Sequence, residues 1–289
     1  MRTRVLVSAA AAVMFVGAMG VNAQASLTHN YEFNTSSGNT DTVGGTSGTL
    51  QNGATIVNGT GLVLANGGNP STLSNAGAQY DSLGGGLLPT SGSATVEEYF
   101  TPTSATGNGY YTQAFDFNNG PGVNNGASSS DYFLGVLSAP TGGGGSHISL
   151  NSGNGETDSS IGPFLDGSAS GNTMIAAVID GTANTLSYYI NGAQIGTAVA
   201  LPAGTSLANF NNVNTVLGIS PFNDPSFSGN IQGFRIFNNA LTASQIAADN
   251  AAGPNGPISE SPAIPEPATL GLLGLGAVGM LARRKRKLA

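Results

Sequence analysis

Apolar and polar residues alternate in short runs along most of this chain, too brief and too closely spaced for helices. Stretches rich in Val, Ile, Tyr, Phe and Thr recur between clusters of Gly, Asn, Ser and Pro, the signature of strands joined by turns. Residues 94–100 (ATVEEYF) form one run and stop at Pro102. In 111–117 (YTQAFDF), period two places Tyr111, Phe115 and Phe117 on one face. Asp131 to Leu137 reads as another strand. Met174 to Ile179 is almost wholly apolar, as expected of a strand covered on both faces. Glu97 and Glu98 are neighbours within a strand and so must point to opposite faces.

The turns carry their own chemistry. After Ile179, the cluster Asp180-Gly181-Thr182-Ala183-Asn184 reverses the chain into Leu186 to Ile190. Asn191-Gly192 then predicts a type I′ turn into Ala193 to Gly196. The last strand spans Ile231 to Phe237, where Phe234 and Ile236 share one face and Arg235 takes the other with Phe237. One short helix follows from Ala243 to near Asn250, with Thr242 and Gln245 as a capping box and Gly253-Pro254 as its stop. Many strands and one helix predict an all-β fold, a two-sheet antiparallel jelly-roll sandwich with a short C-terminal helix.

The two ends belong to export rather than to the fold. Met1-Arg2-Thr3-Arg4 is basic, Val5 to Val21 carries no charge, and Ala23-Gln24-Ala25 supplies a small-x-small site. Residues 1–25 therefore read as a secretory signal peptide, with an uncleaved anchor as the alternative. At the other end Pro265-Glu266-Pro267 precedes an apolar run over 268–282 and the cluster Arg283, Arg284, Lys285, Arg286 and Lys287. At about 1.5 Å per residue that run spans roughly 22 Å, short for a bilayer core of about 30 Å. It predicts a short transmembrane helix suited to transient retention, its basic end a cytoplasmic stop. Residues 254–263 form a linker.

The tail resembles the PEP-CTERM sorting signal on the strength of its three parts: Pro265-Glu266-Pro267, the Gly-rich apolar run and the basic end. That resemblance implies an exosortase-type processing enzyme as partner, in Gram-negative bacteria that make exopolysaccharide. The body would then be released or attached at the cell surface or in the extracellular matrix. An ordinary C-terminal anchor is the alternative.

Residues 26–253 resemble the laminin G-like group of concanavalin A-like jelly rolls. The opening Tyr31-Glu32-Phe33, Asp41 to Leu50 and Asn52-Gly53-Ala54 carries the resemblance, with Thr95 to Phe100 and the Leu186 to Ile195 hairpin. The close is its most specific part, Phe227-Ser228-Gly229-Asn230-Ile231 through Arg235-Ile236-Phe237 to Ala240-Leu241-Thr242. The resemblance implies the fold, and a group that includes lectins, adhesion modules and glucanases. Relatives often hold a structural calcium with an Asp on the last strand, and this chain has Gln232-Gly233 there. Their usual Trp is replaced by Tyr99.

Composition narrows the chemistry. The 289 residues include no Cys and no Trp, and only 8% are charged. No disulfide framework, thiolate metal site or Cys nucleophile is possible. Arg235 is the sole Lys or Arg in 26–262, against 14 Asp and Glu. Such a body repels phosphates, so no nucleic acid is expected as partner. Arg235 should pair with a carboxylate on a neighbouring strand.

Candidate sites are sparse. Asp41 and Asp180 are the best loop carboxylates for a possible calcium ion, although Asp is also the ordinary residue of such turns. Glu156-Thr157-Asp158 is the nearest approach to a glucanase-type carboxylate pair, but Ile161 stands where a second Glu is needed, and the stretch reads as a solvated turn. His29 and His147 lack metal or triad spacing. The expectation is a non-catalytic exported module that binds carbohydrate or mediates adhesion, with extracellular polysaccharide as its partner. The alternatives are a polysaccharide hydrolase and an inert coat protein.

Overall fold

A computed structural model describes residues 26–65, 77–103, 111–120, 130–138, 144–165, 171–222 and 224–258. It contains β1 (Leu27–Tyr31), β2 (Thr49–Gln51), β3 (Thr55–Val57), β4 (Gly61–Ala65), β5 (Tyr80–Gly84), β6 (Ala94–Pro102), β7 (Thr112–Asn118) and β8 (Asp131–Ser138). These are followed by β9 (His147–Ser152), β10 (Glu156–Asp158), β11 (Thr173–Asp180), β12 (Thr185–Ile190), β13 (Ala193–Ala200), β14 (Asn214–Leu217) and β15 (Ser228–Phe237). One helix, α1 (Ala243–Ala252), closes the described chain. The strands form two antiparallel sheets. The eight-stranded sheet runs β13-β12-β11-β6-β15-β4-β3, with β1 also on β15, and the seven-stranded sheet runs β10-β9-β8-β7-β14-β5-β2. This is the expected jelly-roll sandwich.

Alternation sets the core. Val96 and Phe100 of β6, Ile175, Ala177 and Ile179 of β11, and Phe234 and Ile236 of β15 face inward from one sheet. Phe115, Phe117, Phe133, Ile148 and Leu150 answer from the other. Phe115 sits 5.5 Å from Phe133 and 6.1 Å from Phe234, centroid to centroid, so aromatic packing locks the two sheets together. Gly135 makes that approach possible, since a Cβ there would fall 2.7 Å from the Phe115 ring.

The outer face of the eight-stranded sheet holds a second, smaller core. Met174, Ala176 and Val178 of β11 pack there with Tyr99, Phe237, Leu241 and Ile246, so β11 is buried on both faces as its unbroken apolar run requires. Helix α1 covers this face. The Thr242 side chain accepts from the Gln245 amide while Gln245 Oε1 accepts from the Thr242 amide at 2.9 Å, completing the expected capping box. Gly253 ends the helix with φ 78°. The Asn191-Gly192 turn has φ values of 48° and 80°, as a type I′ hairpin demands.

One expectation is corrected. No described helix is long and apolar enough to cross a membrane, and α1 is the only α-helix among the described residues. The run over 268–282, where a transmembrane helix was expected, lies outside the described residues.

Two carboxyls lie inside the main core. Glu98 is fully buried and neither of its oxygens has a hydrogen-bond partner, so burial holds it well above the usual carboxylate range. Burial likewise pushes Asp81 up to about 7, with Asn39 and the amides of Ser82 and Thr49 offsetting only part of the effect. In both, the folded state binds a proton more tightly than the unfolded chain, whose Asp titrates near 3.9. Their stabilising share is complete below about pH 4 and is lost as pH rises through the folded value. The thermal midpoint should therefore fall between about pH 5 and pH 8. Asp81→Asn should flatten that slope in a pH series of melting curves.

Candidate functional site

The seven-stranded sheet carries a groove of about 680 Å³ on its outer face. Strand register builds it. Across β8, β9 and β10, Tyr132, Asn151 and Glu156 stand in one row and Leu134, Ser149 and Asp158 in the next. Val136 and His147 follow in a third row. On the other side β7 sets Gln113 beside Val136 and Asp116 beside Leu134. Tyr132, Leu134 and Val136 make an apolar floor, against which Tyr111 and Phe222 pack. Phe222, from the connection between β14 and β15, meets the Tyr132 ring edge to face at 5.4 Å.

The groove's polar groups are mostly acceptors. Ser149 Oγ donates to Glu156 Oε1 at 2.7 Å. His147 Nε2 lies 3.8 Å from Asp158 Oδ1. Gln113 Nε2 donates to Asp224 Oδ2 at 3.4 Å. Burial pushes the Asp224 carboxyl up to about 6, with Gln113 and Ser220 opposing. Beside Leu134, Asp116 is fully buried and accepts from Asn118 Nδ2 at 2.6 Å. Burial holds it well above the usual range. Aromatic faces beside polar groups are the usual make-up of a small-molecule or sugar site.

Sequence reasoning missed this assembly for two reasons. Strict period two puts Tyr111 with Phe115 and Phe117, but the pairing of β7 with β8 shifts between Gln113 and Asp116. That irregularity reverses the alternation, and Tyr111 itself has a left-handed φ of 51°. Phe115 and Phe117 enter the core, whereas Tyr111 packs at the groove. Residues 156–158 are not a turn but the edge strand β10, paired with β9. Only Thr157 of the three is buried, so no apolar pattern marked the strand.

The other anticipated residues lie elsewhere. Arg235 is on the opposite sheet, fully buried beneath α1 and directly across from Glu97 in the register of β15 with β6. Its Nη1 lies 3.7 Å from Glu97 Oε2 and donates to the Tyr99 hydroxyl at 3.1 Å. Its Nη2 donates to the carbonyls of Gly253 at 3.2 Å, Pro254 at 2.7 Å and Gly256 at 3.4 Å. The Tyr99 ring lies 5.1 Å from the guanidinium carbon. Burial and nearby Asp249 push Glu97 up to about 8, with Arg235 opposing.

Asp41 and Asp180, the calcium candidates, each accept from backbone amides. Asp41 Oδ1 accepts from the amides of Asn30, Val43 and Gly44, and Oδ2 lies 2.6 Å from His29 Nδ1. Burial alone would raise this carboxyl, but these donors outweigh it and hold it below its usual value. Asp180 Oδ1 accepts from the amides of Thr182 and Ala183, an ordinary turn. Gln232, on the last strand, donates to Thr101 Oγ1. Among the described residues no three His, Asp or Glu side chains converge as metal ligands. Pro265, Glu266, Pro267 and the basic cluster 283–287 lie outside the described residues, as does the leader 1–25.

Two packed antiparallel sheets, with a groove on one and a helix sealing the other, define a jelly-roll sandwich. Residues 75–247 match the concanavalin A-like lectin/glucanases superfamily, and the chain belongs to that family. Residues 263–287 match the PEP-CTERM protein-sorting motif. Among solved structures, the chain resembles domain 4 of AbnA, an extracellular arabinanase from Geobacillus stearothermophilus, solved in complex with arabinotriose. The two share 22% identity over 78% of this chain and 98% of that one, with a TM-score of 0.55. It also resembles the binding domain of botulinum neurotoxin DC, solved with rat synaptotagmin II. There the identity is 13% over 78% of this chain and 51% of that one, with a TM-score of 0.53. At these identities the likeness establishes the fold. No curated protein matches the chain.

Truncating Arg235 would free three backbone carbonyls and the Tyr99 hydroxyl and leave the Glu97 carboxyl without its cation. Arg235→Ala should cost about 3 kcal/mol in chemical denaturation, in the range for breaking a buried charged network. An unchanged midpoint would show that the network contributes nothing to folding.

Proposed function

We propose that this protein is a non-catalytic module that binds extracellular polysaccharide in the groove of its seven-stranded sheet and is exported and sorted through its C-terminal tail. The groove carries the reading. It offers the rings of Tyr111, Tyr132 and Phe222 beside hydrogen-bonding side chains, the combination that seats sugar rings by stacking and orients their hydroxyls. The arabinotriose complex of the similar arabinanase domain supports a sugar as the ligand class. The sorting motif supports processing by an exosortase-type enzyme and display outside the cell, at the surface or in the matrix of a Gram-negative bacterium.

The arrangement favours binding over hydrolysis. Glycoside hydrolysis needs two carboxyls flanking one bond. Glu156 and Asp158 stand on one edge strand, and Glu156 is held by Ser149. Asp224 is engaged with Gln113. Incubation with a polysaccharide panel should release no reducing sugar; turnover that disappears in Asp224→Asn or Glu156→Gln would overturn the non-catalytic assignment.

Binding and location are tested separately. Phe222→Ala removes a half-buried ring from the groove wall. It should weaken oligosaccharide binding about tenfold, equivalent to about 1.4 kcal/mol, in titration calorimetry. If the full chain binds none of a broad glycan array, the carbohydrate reading fails. Deleting 264–289 should move the protein from the cell envelope to the medium in fractionation; unchanged envelope association would refute sorting by the tail.

A further inference from the structure

The groove is built to receive hydrogen-bond donors and positive charge. Glu156, Asp158 and Asp224 line it, and Asp158 exposes 51% of its side chain there. No Lys or Arg of the body answers them, and the nearby His147 Nε2, 3.8 Å from Asp158 Oδ1, is a cation only when protonated. Arg235 is the sole Lys or Arg in 26–262, and it is fully buried against the other sheet.

One further group makes the same demand beside the carboxylates. Gln113 is 1% exposed, lines the groove and has its Oε1 without a hydrogen-bond partner among the described residues. An amide oxygen only accepts. A buried acceptor left unmade is costly, so a ligand rich in N–H donors gains by meeting it. Burial raises Asp224 to about 6, and a carboxyl whose charge is costly gains most from an adjacent cation. The rings of Tyr132 and Phe222 line the groove, packed edge to face on each other, and form an apolar surface that suits sugar rings better than an extended basic peptide.

We infer that the groove takes a polysaccharide whose sugars carry free, protonated amino groups, with the ammonium groups at Glu156, Asp158 and Asp224 and the rings on Tyr132 and Phe222. The inference rests on the polysaccharide-binding reading above and narrows its ligand. A polymer of uronic acids meets only repulsion in such a groove, and a fully N-acetylated polymer lacks the charge.

The test uses the full chain and hexamers of β-1,4-linked glucosamine, N-acetylglucosamine and glucose, with an α-1,4 galacturonate hexamer and polylysine as further probes. The glucosamine hexamer should bind at least tenfold more tightly than its N-acetylated counterpart in titration calorimetry. That ratio should shrink as salt rises and collapse toward one in Asp158→Asn/Glu156→Gln, with the melting midpoint reporting that the fold is kept. If the glucose or N-acetylglucosamine hexamer binds as well as the amine, the amine inference is overturned while the polysaccharide reading stands. Equal binding of polylysine overturns it too, because the rim would then be reading charge without sugar. If none of the hexamers binds, the amine inference fails, and the wider glycan array decides the parent reading.

Discussion

The pairing of β6 with β15 is the constraint on which the rest of the molecule depends. These two long strands share the centre of the eight-stranded sheet, and their alternation serves two interiors at once. Val96, Phe100, Phe234 and Ile236 point into the sandwich, while Tyr99 and Phe237 point out to the face beneath α1. A shift of one residue would exchange the two sets and put Glu97 and Arg235 into the aromatic core. The register that sets Arg235 opposite Glu97 therefore also positions the rings on the other side. Strand β1 adds to β15 by pairing Asn30 with Arg235 and Tyr31 with Phe234, which ties the start of the body to its end.

The placement of charge follows from how little there is. The body's one cation is spent inside, where it holds the carbonyls that follow α1 and faces Glu97. It therefore fixes the point from which the chain leaves toward the sorting tail. The carboxyls that remain without a cation divide by environment. Glu98 and Asp116 are buried deeply enough to favour the protonated form. Asp41 is the contrary case, its charge kept by a ring of backbone amides. Glu156 and Asp158 are exposed on β10 and give the groove its acidic edge.

The two outer faces of the sandwich have diverged in use. Helix α1 seals one with Ile246 and a Tyr99 hydroxyl bonded to the Asp249 carbonyl at 3.0 Å, so that face is interior. The other has no such helix among the described residues, and its side chains form a wall of aromatics and acids instead. A short edge strand and an irregular β7 shape that wall.

Much of the fold was already legible in the amino-acid sequence. The apolar run 174–179 predicted a strand buried on both faces, Asn191-Gly192 predicted a tight hairpin, and Thr242 with Gln245 predicted the helix start. Each depends on neighbours a few residues away, where local sterics and hydrogen bonding decide the outcome. The opposite facing of Arg235 and Phe234 followed from period two alone. The transmembrane expectation for 268–282 came from hydropathy by itself and found no counterpart among the described helices. The groove was not legible, because its members come from β7, β8, β9, β10 and the connection before β15 and share no local pattern. Tyr111 reached it only through a left-handed backbone and an irregular pairing with β8, and Glu156 and Asp158 only through pairing of β10 with β9. Pairing between strands distant in sequence decides which side chains become neighbours on a sheet, and no single strand encodes that information.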